Sequence, residues 1–150
     1  MAVHKNRTIT FPQDSMSYDV LSWNEMTDLL FSVAQKITAD GKKFDRIISL
    51  AKGGWPMARM LADFLDIREA SSIGTRLYSG IGKRTGQVEI YQDLHSINGQ
   101  NVLLLDDVSD TGKTLQFVHS YLKEREVASV TTATVYYKPH SVFKPDYFGA

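Results

Sequence analysis

The chain has 150 residues, with 17 Lys or Arg against 17 Asp or Glu, so its formal net charge is zero. That length suits one domain able to bury its own core, and the balanced charge removes any bulk electrostatic reason to bind nucleic acid or an anionic membrane. Cysteine is absent, which excludes disulfides, zinc–thiolate sites and thiol nucleophiles and suits a reducing cytoplasm.

Residues 1–20 are polar and mixed, with an arm or edge strand expected around 8–11. The stretch MAVHKNRTITFPQD has no apolar core of signal-peptide length, and no apolar run approaches the roughly 20 residues of a membrane helix. Ser22-Trp23-Asn24-Glu25 has the spacing of a capping box, flanked by Leu21 and Met26 where a hydrophobic staple would sit. Leu29, Leu30, Val33, Ala34 and Ile37 follow at helical spacing, and Asp40-Gly41 ends that helix.

Residues 46–51, RIISLA, predict a short buried strand running into a Lys52-Gly53-Gly54 loop. A helix is expected from about Trp55-Pro56, with Met57, Met60, Leu61, Phe64 and Leu65 as its apolar face. Residues 70–78 predict a further strand. Residues 79–87, SGIGKRTGQ, have the composition of a mobile loop, and 88–91 a return strand. Val102 to Leu105 is a continuous apolar run, the mark of a strand buried on both faces. Residues 106–113 predict a loop, 114–125 a helix with Leu115, Val118 and Leu122 on one face, and 130–137 another strand. The alternation predicts an α/β fold, a mainly parallel sheet flanked by helices in a single domain, residues 1–150.

In open α/β sheets ligands bind at the carboxyl ends of strands. Asp106 and Asp107 stand at such an end, where two adjacent acids are costly to desolvate. Paired hydroxyls or a bound Mg²⁺ would offset that cost. An isolated Asp-Asp pair is more often two solvated strand-end acids, with Ser109 or Asp110 capping the next helix. The residues that follow argue otherwise. Ser109, Asp110, Thr111, Gly112, Lys113 and Thr114 are mostly small and lead into a helix, so backbone N–H groups and the helix dipole can meet an anion. A diol site beside a phosphate site spells ribose phosphate. Gly112-Lys113-Thr114 is not a Walker A ending, because the glycine that motif needs at position 107 is Asp.

The segment 102–115, VLLLDDVSDTGKTL, resembles the phosphoribosyl-pyrophosphate (PRPP) signature of type I phosphoribosyltransferases. The likeness extends over residues 18–147 and is nearest to the bacterial xanthine-guanine and hypoxanthine (6-oxopurine) branch. The resemblance implies that fold with a small hood, from the N-terminal arm and about 138–150, and a flexible lid at about 78–88 beginning at Tyr78. It implies that Asp106 and Asp107 bind the ribose hydroxyls, directly or through Mg²⁺, and that residues 109–114 grip the 5-phosphate. Asp110 would serve as general base at N7 of a purine. Lys52, Gly53 and Gly54 resemble the pyrophosphate loop, where relatives often have a strained or cis peptide.

The resemblance also explains why a lid is needed: loss of pyrophosphate leaves an oxocarbenium-like sugar that water would capture. Lys83 and Arg84 would then meet the diphosphate, if they are more than solvated loop charges, and Arg76 is a further phosphate candidate. Lys138-Pro139 resembles the start of the base-binding hood, where lysine donates to the 6-oxo group; Tyr137, His140 and Tyr147 are candidates to shape that pocket. The family continues with a strand whose aromatic residue stacks on the purine, whereas this chain ends at Phe148-Gly149-Ala150. His4, His95 and His119 have no metal-ligand spacing.

The implied reaction is Mg²⁺-dependent transfer from PRPP to a 6-oxopurine base, giving a nucleotide and pyrophosphate, in a cytoplasmic homodimer or homotetramer. Two other readings are a regulatory protein that senses PRPP or a nucleotide on the same fold, and a phosphoribosyltransferase for a different base.

Overall fold

The computed structural model describes residues 7–10, 12, 17–78 and 87–150. In chain order the elements are β1 (Arg7–Thr10), β2 (Ser17–Val20), α1 (Trp23–Ala39), β3 (Arg46–Ala51), α2 (Gly54–Phe64), β4 (Glu69–Tyr78), β5 (Gln87–Gln92), β6 (Asn101–Ser109), α3 (Lys113–Lys123), β7 (Ser129–Tyr137) and β8 (Tyr147–Phe148). β1 and β2 form a separate antiparallel pair, while the main sheet has the order β5-β4-β3-β6-β7-β8. Every neighbouring pair in the main sheet is parallel except β4 with β5.

The strand period of two explains the layering. Ile47, Leu103, Leu105, Ala133 and Val135 pack with Leu29, Leu30, Val33 and Ile37 of α1 and Ala58 and Leu61 of α2. The alternate residues Ile48, Leu50, Ile73, Val102 and Leu104 pack instead with Leu115, Val118 and Leu122 of α3. A strand covered on both sides has no polar face, which is why β6 reads as an unbroken apolar run. Burying each leucine contributes roughly 2 kcal/mol.

Local signals account for the helices. Glu25 N donates to Ser22 Oγ at 3.2 Å and Ser22 N donates to Glu25 Oε2 at 2.7 Å, so the capping box is formed. α1 ends at Asp40, and Gly41 follows at φ +67°. α2 begins at Gly54, one residue before the expected start. It buries Gly54, Ala58, Leu61 and Ala62, with Met57, Met60 and Leu65 half-buried against the same core. Phe64, expected on that face, stands outside it, edge-on to Phe31 at 5.6 Å.

Two boundaries differ from the sequence reading. The strand expected to stop at Leu105 runs on to Ser109, because the ladder with β7 continues through Val108↔Tyr136 and Ser109↔Tyr137. Residues 138–150 do not all stand apart as a hood. Tyr147 and Phe148 pair with Ala133 and Thr134 on the open edge of β7, and Tyr137 N donates to Ala150 O at 2.8 Å. An unpaired strand edge is a liability, and this return covers it. Among the described residues no helix is long and apolar enough to cross a membrane.

Candidate active site

Because β3, β6 and β7 are parallel, the segments leaving them emerge at one edge of the sheet. The β3 exit is Ala51-Lys52-Gly53, with a cis peptide between Ala51 and Lys52. The β6 acids start from opposite faces of the strand, yet their carboxyls stay close enough for Asp107 to act on Asp106. Asp107 follows Leu103 and Leu105 toward α2, and a Cβ built on Gly53 would lie 2.7 Å from the Asp107 carboxyl carbon. Asp107 and the Lys52-Gly53-Gly54 loop are therefore in direct contact. Gly54 is also tight: a Cβ there would lie 2.8 Å from the Leu105 carbonyl oxygen.

Asp106 follows Leu104 toward α3 and lines a cleft of about 90 Å³ with Asp110, Thr111, Gly112 and Thr114. Burial first, then the charge of Asp107, pushes its carboxyl up to about 8. Opposite it in the β6–β7 ladder, Thr134 buries a hydroxyl that has no hydrogen-bond partner. Both observations mark a place that lacks a polar or cationic group. Among the described residues no three acid, His or Cys side chains form a metal cage. Two acids suit a Mg²⁺ that completes its shell with water and substrate oxygens.

The cleft floor is the start of α3. Gly112 occupies the N-cap position at φ +77° and supplies no side-chain cap. The first-turn amides have no partner inside the helix, since the first intrahelical bond is Gln116 N to Gly112 O at 2.9 Å. No acid stands in that turn, so the positive end of the helix is left for an anion.

Asp110 sits beside this loop, half-exposed. Lys138 Nζ lies 2.9 Å from its Oδ1 and His140 Nε2 lies 3.1 Å from the same oxygen. Lys138 first, then His140, holds the Asp110 carboxyl below its usual range. The 138–143 segment also braces the loop 109–114. Val142 N donates to Thr111 O at 3.0 Å, and Ser109 Oγ lies 2.9 Å from both Ser141 Oγ and the Phe143 carbonyl.

The structure thus brings together Lys52, Gly53 and Gly54 with Asp107, and Asp106 with Asp110 to Thr114. Two assignments change, and a third candidate is seen paired within the sheet. Ser109 does not offer its hydroxyl to a phosphate; it is buried and engaged with Ser141 and Phe143. Tyr147 does not shape a base pocket: it is buried in the α1 core, and its hydroxyl donates to Asp40 Oδ2 at 2.6 Å. Arg76 is turned across the β4–β5 pair to Glu89 at 3.1 Å.

Tyr137 packs its ring on Phe148 at 5.1 Å. Lys83 and Arg84 lie outside the described residues, as do most of the lid and the side chain of Tyr78. The pairing of His140 with Asp110 and the brace from Ser141 and Phe143 join positions about 30 residues apart, and no local spacing signals them.

Known proteins resemble this chain in sequence and in fold. A model of the phosphoribosyl transferase domain matches residues 19–148. The chain is 32% identical over 123 residues to a hypoxanthine-guanine phosphoribosyltransferase of Streptococcus pneumoniae, covering 80% of this chain and 68% of that protein. It is 33% identical over 116 residues to the dog enzyme of the same name, covering 68% of this chain and 53% of that protein. Its structure resembles a purine phosphoribosyltransferase from Pyrococcus horikoshii, with TM-score 0.77, 32% identity and coverage of 85% and 83% of the two chains. It also resembles a hypothetical protein from Neisseria gonorrhoeae with bound ppGpp, with TM-score 0.76, 27% identity and coverage of 87% and 80%.

Proposed function

The chain belongs to the phosphoribosyl transferase domain family, and on that premise we propose that it transfers ribose 5-phosphate from PRPP to a 6-oxopurine base and releases pyrophosphate. The observation that carries the choice of base is the Lys138–Asp110 pair, 2.9 Å apart, next to the α3 cleft. A 6-oxopurine presents a carbonyl acceptor at C6 and, in its N7–H form, a donor at N7. An ammonium beside a carboxylate matches that order, whereas adenine would turn an amino group toward the ammonium.

In this reading the 5-phosphate sits on the first-turn amides of α3, with Thr111 and Thr114 hydroxyls as further donors. Asp106 and Asp107 receive the ribose hydroxyls, and the amides of Lys52, Gly53 and Gly54 receive the diphosphate. The base N9 forms its bond to ribose C1 as the bond from C1 to the pyrophosphate oxygen breaks, and Asp110 takes the N7 proton. A Mg²⁺ held through Asp106 and Asp107 would neutralise charge on the departing diphosphate.

A second reading is favoured by the ppGpp bound in the N. gonorrhoeae relative: a guanine nucleotide is held and no transfer follows. One experiment separates the two. Incubation with PRPP, Mg²⁺ and a panel of bases should release pyrophosphate with hypoxanthine, guanine or xanthine and not with adenine or uracil, and a chelator should abolish release. Asp110→Asn should reduce turnover by about 100-fold or more and alter PRPP binding far less. Lys138→Ala should raise KM for the base by about tenfold. Guanine-nucleotide binding with no turnover on any base would favour the sensor.

A further inference from the structure

We propose that His140 is a positioning residue for Asp110: with Lys138 it engages Oδ1, so that Oδ2 is the oxygen presented to the base. The inference rests on the transfer reading above and adds a residue to it. Lys138 Nζ and His140 Nε2 converge on a single oxygen of the carboxylate, at 2.9 and 3.1 Å.

A carboxylate held at one oxygen by one donor can still swing about that contact, and Lys138 must share its three N–H groups with the base carbonyl when substrate is bound. A second donor on the same oxygen, His140 Nε2 at 3.1 Å, restricts that freedom. The proton leaving N7 then passes to Oδ2, as N9 bonds to C1 and the C1–pyrophosphate bond breaks.

The backbone sets His140 in place. Ser141 N donates to Lys138 O at 2.9 Å, closing a turn with Pro139 and His140 at its centre, and proline is favoured at the first central position. The next amide, Val142 N, is tied to Thr111 O at 3.0 Å. The imidazole is thus carried by the segment that braces the phosphate loop, and its reach to Asp110 follows from that brace. The charged or titratable groups acting on Asp110 are Lys138 and His140, and contact with each favours the ionised carboxylate. The competing account is an exposed surface histidine that touches Asp110 incidentally.

The test compares the full chain with His140→Ala and His140→Gln over a range of pH. His140→Ala should lower kcat by about tenfold, the loss expected for one hydrogen bond to a charged group, and leave KM for PRPP within about twofold. Its acid limb in kcat/KM should move to higher pH, because Asp110 loses a donor that favours its ionised form. His140→Gln, which restores a neutral N–H, should recover most of kcat. Wild-type kcat and an unmoved acid limb in His140→Ala would overturn the proposal, as would failure of His140→Gln to rescue.

Should no base be turned over, the transfer reading fails, and this inference is then judged by carbon NMR of the Asp110 carboxyl in the ligand-free chain. A titration midpoint higher in His140→Ala than in wild type supports it, and identical midpoints overturn it.

Discussion

Helices α1 and α3 solve the same problem at their starts in opposite ways. Each leaves its first amides without partners inside the helix. At α1 the Ser22 hydroxyl accepts from Glu25 N, the Glu25 carboxylate accepts from Ser22 N, and an acid sits on the dipole. At α3 the cap is a glycine with positive φ, and the turn holds a lysine and a threonine but no acid. A capping side chain is worth about 1 kcal/mol, so α3 forgoes a stabilisation that α1 takes. One chain shows both solutions, and the open one lies at the edge of the sheet where Asp106, Asp110 and Lys138 gather. α2 resembles α3: its cap is Gly53, again without a side-chain hydrogen bond.

The contrast can be broken hardest at Gly112. A Cβ there would meet the Ser141 hydroxyl and lie 2.7 Å from Phe143 N, at a φ that disfavours any side chain. Gly112→Ala should weaken PRPP binding by about 100-fold or more and lower stability by about 2 kcal/mol, read by calorimetric titration and urea unfolding. PRPP affinity equal to wild type would detach the open helix end from the ligand.

Asp106 tests the second half of the contrast, that the open side is kept at some expense of stability. Its folded value of about 8 lies above the ordinary carboxylate value of 3.8, so the native state binds that proton more tightly than the unfolded chain. The associated stabilisation is complete below about pH 4 and is lost as pH rises through 8. Asp106→Asn removes the titration. Above pH 8 it should be more stable than wild type by about 2 kcal/mol, with the gap shrinking toward pH 5, and it should lose PRPP affinity. Melting temperatures at pH 5, 7 and 9 read the effect, and a gap independent of pH would contradict it.

At Gly53 the effect should be smaller, because the obstructing group is a mobile carboxyl. Gly53→Ala should displace Asp107 and weaken PRPP binding by about tenfold, with the fold intact by circular dichroism. The smallest effect belongs to the closed helix. Ser22→Ala should cost about 1 kcal/mol of stability and leave PRPP binding unchanged, which isolates capping from function.

Local signals carry much of this molecule. The capping box, the buried β3 and β6 and the apolar stripe of α3 follow from patterns within about ten residues. The loop 109–114 is also legible, because small residues between a buried strand and a helix start have few other uses. What was not legible is set by pairing at a distance. Acids are disfavoured in strands, so Asp106 and Asp107 read as loop until the ladder to β7 is seen to continue. Two-residue β8 is too short to have a pattern, and it exists because β7 has an edge to cover. Ser109 looks like a phosphate ligand by its position, and only its contact with Ser141 and Phe143 shows that its hydroxyl is committed elsewhere. Tyr147 and Asp40 are 107 positions apart, beyond any spacing rule.

The brace formed by residues 138–143 bears on which changes in base preference are accessible to selection. In the proposed reading Lys138 faces the base, while its near neighbours Ser141 and Phe143 brace the loop 109–114. A library that randomises the whole segment would therefore lose most members through the sugar-phosphate end, whatever they gained for a new base. Val142 is the exception: its side chain is 61% exposed, and it contributes to the brace only through its backbone N–H. Variation at 142 that keeps a backbone N–H, with Ser141 and Phe143 left alone, therefore leaves the bond to Thr111 in place.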